Sequence, residues 1–363
     1  MKYFSMFSGI GGFEIGIQRA CNKQSTKIEQ NRKGRNRNFN KVESDVLSPI
    51  RTTSLCVGFS EINKYAIQIY EKHFGEHKNY GDATNIISKK LPNFNFLVAG
   101  FPCQSFSIAG NRGGFQDTRG TLFFEIARIL KDKRPRYLLL ENVKGLLSHE
   151  SGKTFQTILK TLSDIGYVLQ WEILNSKNYG VPQNRERVFI VGHLRGTSRP
   201  EIFPIGENNG KLDEKVTQRN DIAHTITNAE KLRGSYIIHN IYGGFKEDKV
   251  REFRDYSPTI RTPKGGGHIP LVKAVLTPDR AVKHQNGRRM KGSGEPSFTL
   301  TGQDIHGVAY RDVIRRLTPT ECERLQSFPD GWTDGISDAQ KYKCLGNAVT
   351  VNVVEEIIKR FNF

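Results

Sequence analysis

A largely apolar run, Phe94 to Ala99, breaks at Gly100 and passes directly into Phe101-Pro102-Cys103-Gln104-Ser105. No other stretch narrows the possible fold as much. A short apolar run closed by Gly and Pro predicts a buried strand that ends in a loop. Loops at the carboxyl ends of parallel strands are where open α/β proteins place their chemistry. A Cys in such a loop can be partly exposed, with its thiolate favoured by nearby basic groups. The Pro before it stiffens the backbone and removes a donor, which helps to aim the sulfur. Taken alone, a loop Cys is more often a small apolar side chain packed at a strand end, since most free Cys are buried and inert.

The same strand–loop–helix unit recurs around it. Residues 2 to 7 predict a strand that enters Ser8-Gly9-Ile10-Gly11-Gly12, followed by a helix from Phe13 to about Ala20. A strand, a glycine-rich turn and a helix form the first unit of a nucleotide-binding α/β fold, although the dinucleotide spacing and the P-loop Lys are both missing. A second strand, Ser54 to Phe59, ends at Ser60-Glu61, where such folds bind ribose hydroxyls, and a helix with Ile67, Ile69 and Tyr70 follows. After the Cys103 loop come a Gly-rich stretch suited to a flap, Asn111 to Gly120, and a helix from Thr121 to Leu130. The next strand, Tyr137 to Leu140, ends in Glu141-Asn142-Val143. A carboxylate at one strand end and a Cys at the preceding one place two functional groups over one cleft. A helix (154–165) and a strand (168–174) lead to Gln183-Asn184-Arg185-Glu186-Arg187 and an apolar strand, Val188 to Gly192. If that segment is extended, Arg185 and Arg187 point to the same side.

Beyond about His193 the alternation fails. Residues 194 to 310 are rich in Gly, Pro, Arg and Thr, and two Pro- and Thr-containing stretches, 256–267 and 295–301, predict a small irregular β domain with related hairpins. Lys283 to Arg289 carries donors suited to phosphates and guanine edges. Helical pattern returns at Thr318-Pro319-Thr320-Glu321, a strong helix start, and Gly346-Asn347 predicts a tight turn before a last helix, Val351 to Phe361. The segment from about 21 to 54 is polar and basic and predicts a flexible insertion.

Charge points to the partner. With 55 Lys and Arg against 37 Asp and Glu, the chain of 363 residues carries +18, which favours a polyanion, nucleic acid first. No apolar run is long enough for a membrane span, and the N-terminus lacks a secretory pattern. The five Cys are widely spaced without a CxxC pair, which argues against a disulfide framework or zinc site and for a cytosolic chain.

In order along the chain, Phe7-Ser8-Gly9-Ile10-Gly11-Gly12, Gly100-Phe101-Pro102-Cys103-Gln104, Glu141-Asn142-Val143, Gln183-Asn184-Arg185-Glu186-Arg187, Arg316 to Cys322 and Gly346-Asn347-Ala348-Val349 resemble the motifs of the DNA cytosine-5 methyltransferases of prokaryotic restriction-modification type. The likeness covers nearly the whole chain apart from the insertion and the variable middle. It implies a Rossmann-like α/β domain with a mostly parallel sheet that uses S-adenosyl-L-methionine, plus a smaller irregular β-rich target recognition domain. The implied division is 1–193 catalytic and cofactor-binding, 194–312 target recognition, and 313–363 a bracing helix and return to the catalytic domain.

The resemblance implies Cys103 as the nucleophile toward cytosine C6, Glu141 as the partner of N3, and Arg187, with Arg185 nearby, as the holder of O2. It implies Phe7 against the adenine, Ile10, Gly11 and Gly12 near the methionine portion, Glu61 on the ribose and Asp82 on the adenine amino group, with Leu122 and Asn347 completing the pocket. The cytosine must leave the duplex for these atoms to be reached. A monomer acting on double-stranded DNA in the cytoplasm, at the nucleoid, is expected, with a cognate restriction endonuclease acting separately on the same site. An RNA cytosine methyltransferase of this fold remains open, though that branch usually carries Pro-Pro-Cys-Gln and here Phe101 precedes Pro102. So does an inactive DNA-binding relative, which intact Cys103, Glu141 and Arg187 argue against.

Overall fold

The computed structural model describes residues 1–22, 54–102, 122–198, 200–205, 236–237, 272–276, 290–292, 295–302, 305–310 and 313–361. The expected insertion, the Cys103 loop with its flap, the 256–267 stretch and the Lys283–Arg289 loop lie outside them. The described chain divides into two compact units: Met1–Asn175 with Glu186–Glu207 and Ala348–Phe363, and Ser176–Arg185 with Asn208–Asn347.

The first unit is built on a six-stranded sheet. Its strands are β1 (Lys2–Met6), β2 (Leu55–Ser60), β3 (Phe96–Gly100), β4 (Tyr137–Val143), β5 (Tyr167–Asn175) and β6 (Glu186–Leu194), in the order β2-β1-β3-β4-β6-β5. The pairs among β2, β1, β3 and β4 are parallel, whereas β6 runs antiparallel to both β4 and β5. Successive residues of β1 point to opposite faces. Phe4 and Met6 join Leu97, Ala99, Leu138 and Leu140 in a core shared with Phe123, Ile126 and Leu130 of α3 (Leu122–Lys133) and Phe155, Ile158 and Leu162 of α4 (Lys153–Asp164). On the other face, α1 (12–22), α2 (Lys64–Phe74) and α7 (Val351–Ile358) cover Tyr3, Phe59 and Phe96: Tyr70 stacks on Phe59 at 3.8 Å, and Phe361 meets Phe96 at 5.3 Å. Parallel strands buried on both faces read as unbroken apolar runs, which is why 94–99 and 137–140 stood out in the sequence.

Strand order decides where ligands go. The chain leaves β1 for β2 on one side and later returns to place β3 on the other, so the strand order reverses at β1. The crevice beyond the carboxyl ends of β1, β2 and β3 is the topological switch point, the usual ligand position in open α/β sheets.

The second unit holds an antiparallel sheet in the order β7-β10-β9-β8, from Tyr236–Ile237, Val313–Arg316, His306–Tyr310 and Val272–Leu276. It also holds α5 (Pro319–Leu325) and α6 (Asp338–Asn347). Thr318 caps α5 through a capping box with Glu321, with Pro in the first turn, as its sequence predicts. Two local expectations are corrected. Residues 295–301 form no strand, only an isolated bridge from Ser297 to Gln183. Gly346-Asn347 does not open the last helix but closes α6, because a Cβ at Gly346 would stand 2.3 Å from the Thr301 carbonyl carbon. The missing side chain is used for helix packing rather than for a turn. No helix among the described residues is long and apolar enough to cross a membrane.

Candidate active site and its relatives

At the carboxyl end of β1 the backbone takes unusual conformations. Phe7 lies at φ +54°, an uncommon state for a bulky residue and one that marks constrained functional loops. Gly11 lies at φ +90°, and a Cβ there would meet the Phe74 ring at 2.4 Å, so only Gly fits. Ser8 N–H donates to the Ser60 carbonyl, and the Ser8 hydroxyl donates to Ser5 Oγ at 2.9 Å. Ile10 is buried, and Gly11 and Gly12 lead into α1.

Glu61 ties this loop to β2. One carboxylate oxygen accepts from Gly9 N at 2.9 Å, and the other from Ile62 N at 2.9 Å and Asn63 N at 2.8 Å. A carboxylate has about four lone-pair positions, so some acceptor capacity remains for a ligand hydroxyl. Asn79 works as a clamp. Its oxygen accepts from Glu61 N and Gly81 N, and its amide donates to the Glu61 carbonyl. Asp82 follows at once and caps the short 3-10 turn Ala83–Asn85 by accepting from Thr84 N at 2.9 Å. The structure thus brings Phe7, Ile10, Gly11, Gly12, Glu61 and Asp82 into one group of loops. Sequence reading overlooked Ile62: it is 71% exposed, an apolar side chain standing free beside a carboxylate at the switch point. The signal was there in an Ile directly after the strand-end acid.

At the ends of β3 and β4 lies a second group. Glu141 pairs in register with Gly100, three positions before Cys103, and a Cβ on Gly100 would lie 3.4 Å from Glu141 Oε2. Arg187 pairs in register with Val143, which makes it the diagonal neighbour of Glu141 on the same face of the ladder. Its Nε reaches Glu141 Oε1 at 3.1 Å, with both side chains largely buried, at 15% and 12% exposure. Burial pulls the guanidinium below its ordinary value while the Glu141 charge pulls it back up. Asn142, between Glu141 and Val143, is buried. Its amide donates to the Phe101 carbonyl at 2.8 Å and its oxygen accepts from Val143 N at 2.8 Å. It therefore fixes the backbone that leads into Pro102-Cys103, a role its place beside Glu141 did not advertise. Cys103 itself lies outside the described residues. Leu122 opens α3, half-buried.

Arg185 has other partners than Arg187. It is almost wholly buried and donates to the Leu300 carbonyl at 2.6 Å and the Gly346 carbonyl at 3.1 Å. Gln183 beside it donates to the Leu325 carbonyl and accepts from Leu300 N. The expected shared side for the two Arg requires one strand through both positions, but β6 starts only at Glu186. Arg185 belongs with Asn347 in the second unit, where it braces the carbonyl just before that residue.

Residues 1–362 match the family described as C-5 cytosine-specific DNA methylase. The chain belongs to the C-5 cytosine-specific DNA methylases. It is 33% identical to the orphan methyltransferase M.SPRI of Bacillus phage SPR, with 99% of this chain and 97% of that one covered. It is 32% identical to the type II methyltransferase M.BanI of Aneurinibacillus aneurinilyticus, over 99% of this chain and 95% of that one. To M.NgoBI of Neisseria gonorrhoeae, also a type II methyltransferase, it is 35% identical over 98% and 90%. In fold it is similar to the S. pombe Dnmt2 methyltransferase, with a TM-score of 0.60 at 18% identity over 99% of this chain and 97% of that one. The Entamoeba histolytica methyltransferase EhMeth gives a TM-score of 0.55 at 19% identity, over 99% and 97%. A DNA cytosine methyltransferase, with relatives in restriction-modification systems, is therefore an enzyme built on the α/β sheet described above.

Proposed function

We propose that the protein methylates C5 of a cytosine flipped out of a specific double-stranded DNA sequence, using S-adenosyl-L-methionine and a covalent bond between Cys103 and C6. The observation that carries this reading is the buried Arg187–Glu141 pair beside the strand end that leads to Pro102-Cys103. Cytosine C5 is a weak nucleophile. Addition of the Cys103 thiolate at C6 pushes an electron pair toward N3, where Glu141 holds a proton or a hydrogen bond. Arg187 donates to O2 and stabilises the charge that develops on the ring. Bound S-adenosylmethionine supplies the methyl group that the activated C5 accepts. Loss of the C5 proton to a base then expels the Cys103 thiolate and restores the ring. Asn142 positions the loop, and Arg185 braces the segment that carries Asn347.

The loops around β1 and β2 fit that cofactor. Phe7 and the exposed Ile62 offer apolar surface for the adenine, and Glu61 and Asp82 offer acceptors for the ribose hydroxyls and the adenine amino group. Ile10, Gly11 and Gly12 would carry the methionine portion, and Leu122 and Asn347 would close the site. The second unit, with its antiparallel sheet and basic segments, would read the target, and the net charge of +18 suits the phosphates. A monomer acting at the nucleoid as the modification half of a restriction-modification system is the setting we assign.

Incubation of the protein with tritiated S-adenosylmethionine and mixed-sequence duplex DNA should label cytosine C5, and Cys103→Ser should abolish it. Bisulfite sequencing of the product then reveals the target, and a panel of type II endonucleases shows which cleavage it blocks. Label on RNA in place of DNA, or binding without transfer, would overturn the reading.

A further inference from the structure

Behind the glycine loop lies a buried polar chain that the reaction does not use. Glu14, on the first turn of α1, has no exposed surface. Its Oε1 accepts from the Tyr70 hydroxyl at 3.1 Å, and that hydroxyl lies 3.1 Å from His77 Nδ1. The Ser5 hydroxyl stands close enough to favour the carboxylate, yet Oε2 completes no hydrogen bond of normal geometry among the described residues. The other titratable groups facing the carboxyl are Tyr3 on β1 and Cys56 on β2, neither of which brings a positive charge. Burial accordingly raises the Glu14 carboxyl from 4.5 to about 7, and burial with the Glu14 charge raises the Cys56 thiol to about 12.

The chain joins the three segments of the cofactor site. Glu14 sits three positions past Gly11, and Phe74, which fills the space a Gly11 side chain would need, stacks on His77 with ring centroids 5.4 Å apart. From His77 the backbone zips onto the end of β2, with Phe59 N donating to Lys78 O and Tyr80 N to Phe59 O. Asn79, within that zip, holds Glu61 and Gly81. The Tyr70 hydroxyl is thus the link between the helix that follows the glycine loop and the segment that sets Glu61 and Asp82.

We propose that Glu14, Tyr70 and His77 are positioning residues for S-adenosylmethionine: their hydrogen-bonded chain holds the glycine loop, the Glu61 turn and the Gly81–Asp82 turn in one arrangement, and breaking or charging it weakens cofactor binding. The inference rests on the cofactor reading given above. With Glu14 neutral, its O–H donates to Tyr70, whose own O–H donates to His77 Nδ1. With Glu14 ionised the chain reverses, and Oε2 becomes a buried charge short of donors. The contact between α1 and α2 must then loosen to admit water. His77, half-buried, connects the carboxyl to solvent, so Glu14 can equilibrate with the medium.

The test is the Kd for S-adenosylmethionine by titration calorimetry from pH 6 to 8.5, on the wild type, Tyr70→Phe and Glu14→Gln. Tyr70→Phe keeps the ring stack and removes only the hydroxyl. It should weaken binding about fivefold at every pH, with kcat at saturating cofactor within about twofold. Glu14→Gln mimics the neutral carboxyl. The ratio of wild-type to Gln-variant Kd should therefore rise about fivefold as pH passes through 7. The ratio is the readout because the cofactor's amino group titrates in the same range. A flat ratio, or a ratio that falls because an ionised Glu14 attracts the sulfonium cation, would overturn the proposal. So would a folded Tyr70→Phe variant that binds as the wild type does. Failure of the wild type to bind the cofactor at any pH would refute the cofactor reading instead.

Discussion

Replacing Arg187 with Met keeps most of the buried stem and removes the charge that faces Glu141. At the observed 3.1 Å, an effective dielectric of about 20 gives a gross attraction of about 5 kcal/mol. Part of that only offsets the cost of taking both groups out of water, and removing one partner of a buried pair typically costs about 3 to 5 kcal/mol. We therefore expect Arg187→Met to destabilise the first unit by about 3 kcal/mol. Glu141→Gln should cost less, because the amide oxygen still accepts from the guanidinium. The double variant should fall short of the summed single losses by about 2 kcal/mol, the signature of a direct pair. Urea unfolding at pH 7.5, in a Trp332→Phe background so that Trp171 on β5 reports the unit holding the pair, measures all four corners of the cycle. Single losses below about 1 kcal/mol that simply add would mean a solvent-screened contact and would refute the reasoning. Turnover of Glu141→Gln should fall by far more than its smaller stability loss accounts for, since that change touches the group assigned to N3.

Four further outcomes follow from the geometry. Glu14 has its folded-state value raised from 4.5 to about 7, so the stability present below 4.5 is lost as pH rises to 7 and stays lost above. Glu14→Gln escapes that loss, and its Tm should gain on the wild type across this window, by the equivalent of at most about 3 kcal/mol, as scanning calorimetry at pH 4.5, 6 and 8 will show. Gly11→Ala meets Phe74 and a positive φ together, and should weaken cofactor binding at least about tenfold by calorimetry while the fold survives. Asn142→Ala frees the Phe101 carbonyl; kcat should drop about tenfold or more in the tritium assay with the cofactor Kd unchanged, and an equal loss in both would contradict a role confined to the nucleophile loop. In the second unit, buried Glu323 accepts from Gly331 N at 2.7 Å and Thr333 N at 2.8 Å, so Glu323→Ala should cost about 3 kcal/mol in chemical denaturation.

Much of the catalytic frame was legible in the sequence because its signals are local. Apolar runs at 94–99 and 137–140 make strands by their own composition, the glycine turn after residue 7 makes the loop, and Thr318 with Glu321 makes a helix start within a single turn. The ordered motifs carried the family for the same reason: each is a short stretch whose residues act together in place. What required the tertiary structure is every feature that depends on pairing distant segments. Spacing alone put Arg185 and Arg187 on one side, yet the strand starts between them, and the antiparallel return of β6 sends Arg187 to Glu141 while Arg185 goes to Leu300 and Gly346. Gly346 looked like a turn residue, and it is the approach of Thr301 that makes it a packing residue in a helix. Glu14 carries no mark in the sequence that sets it apart from the rest of its helix. Its burial against Tyr70 depends on where α1, α2 and the first two strands meet, and no local pattern encodes that meeting point.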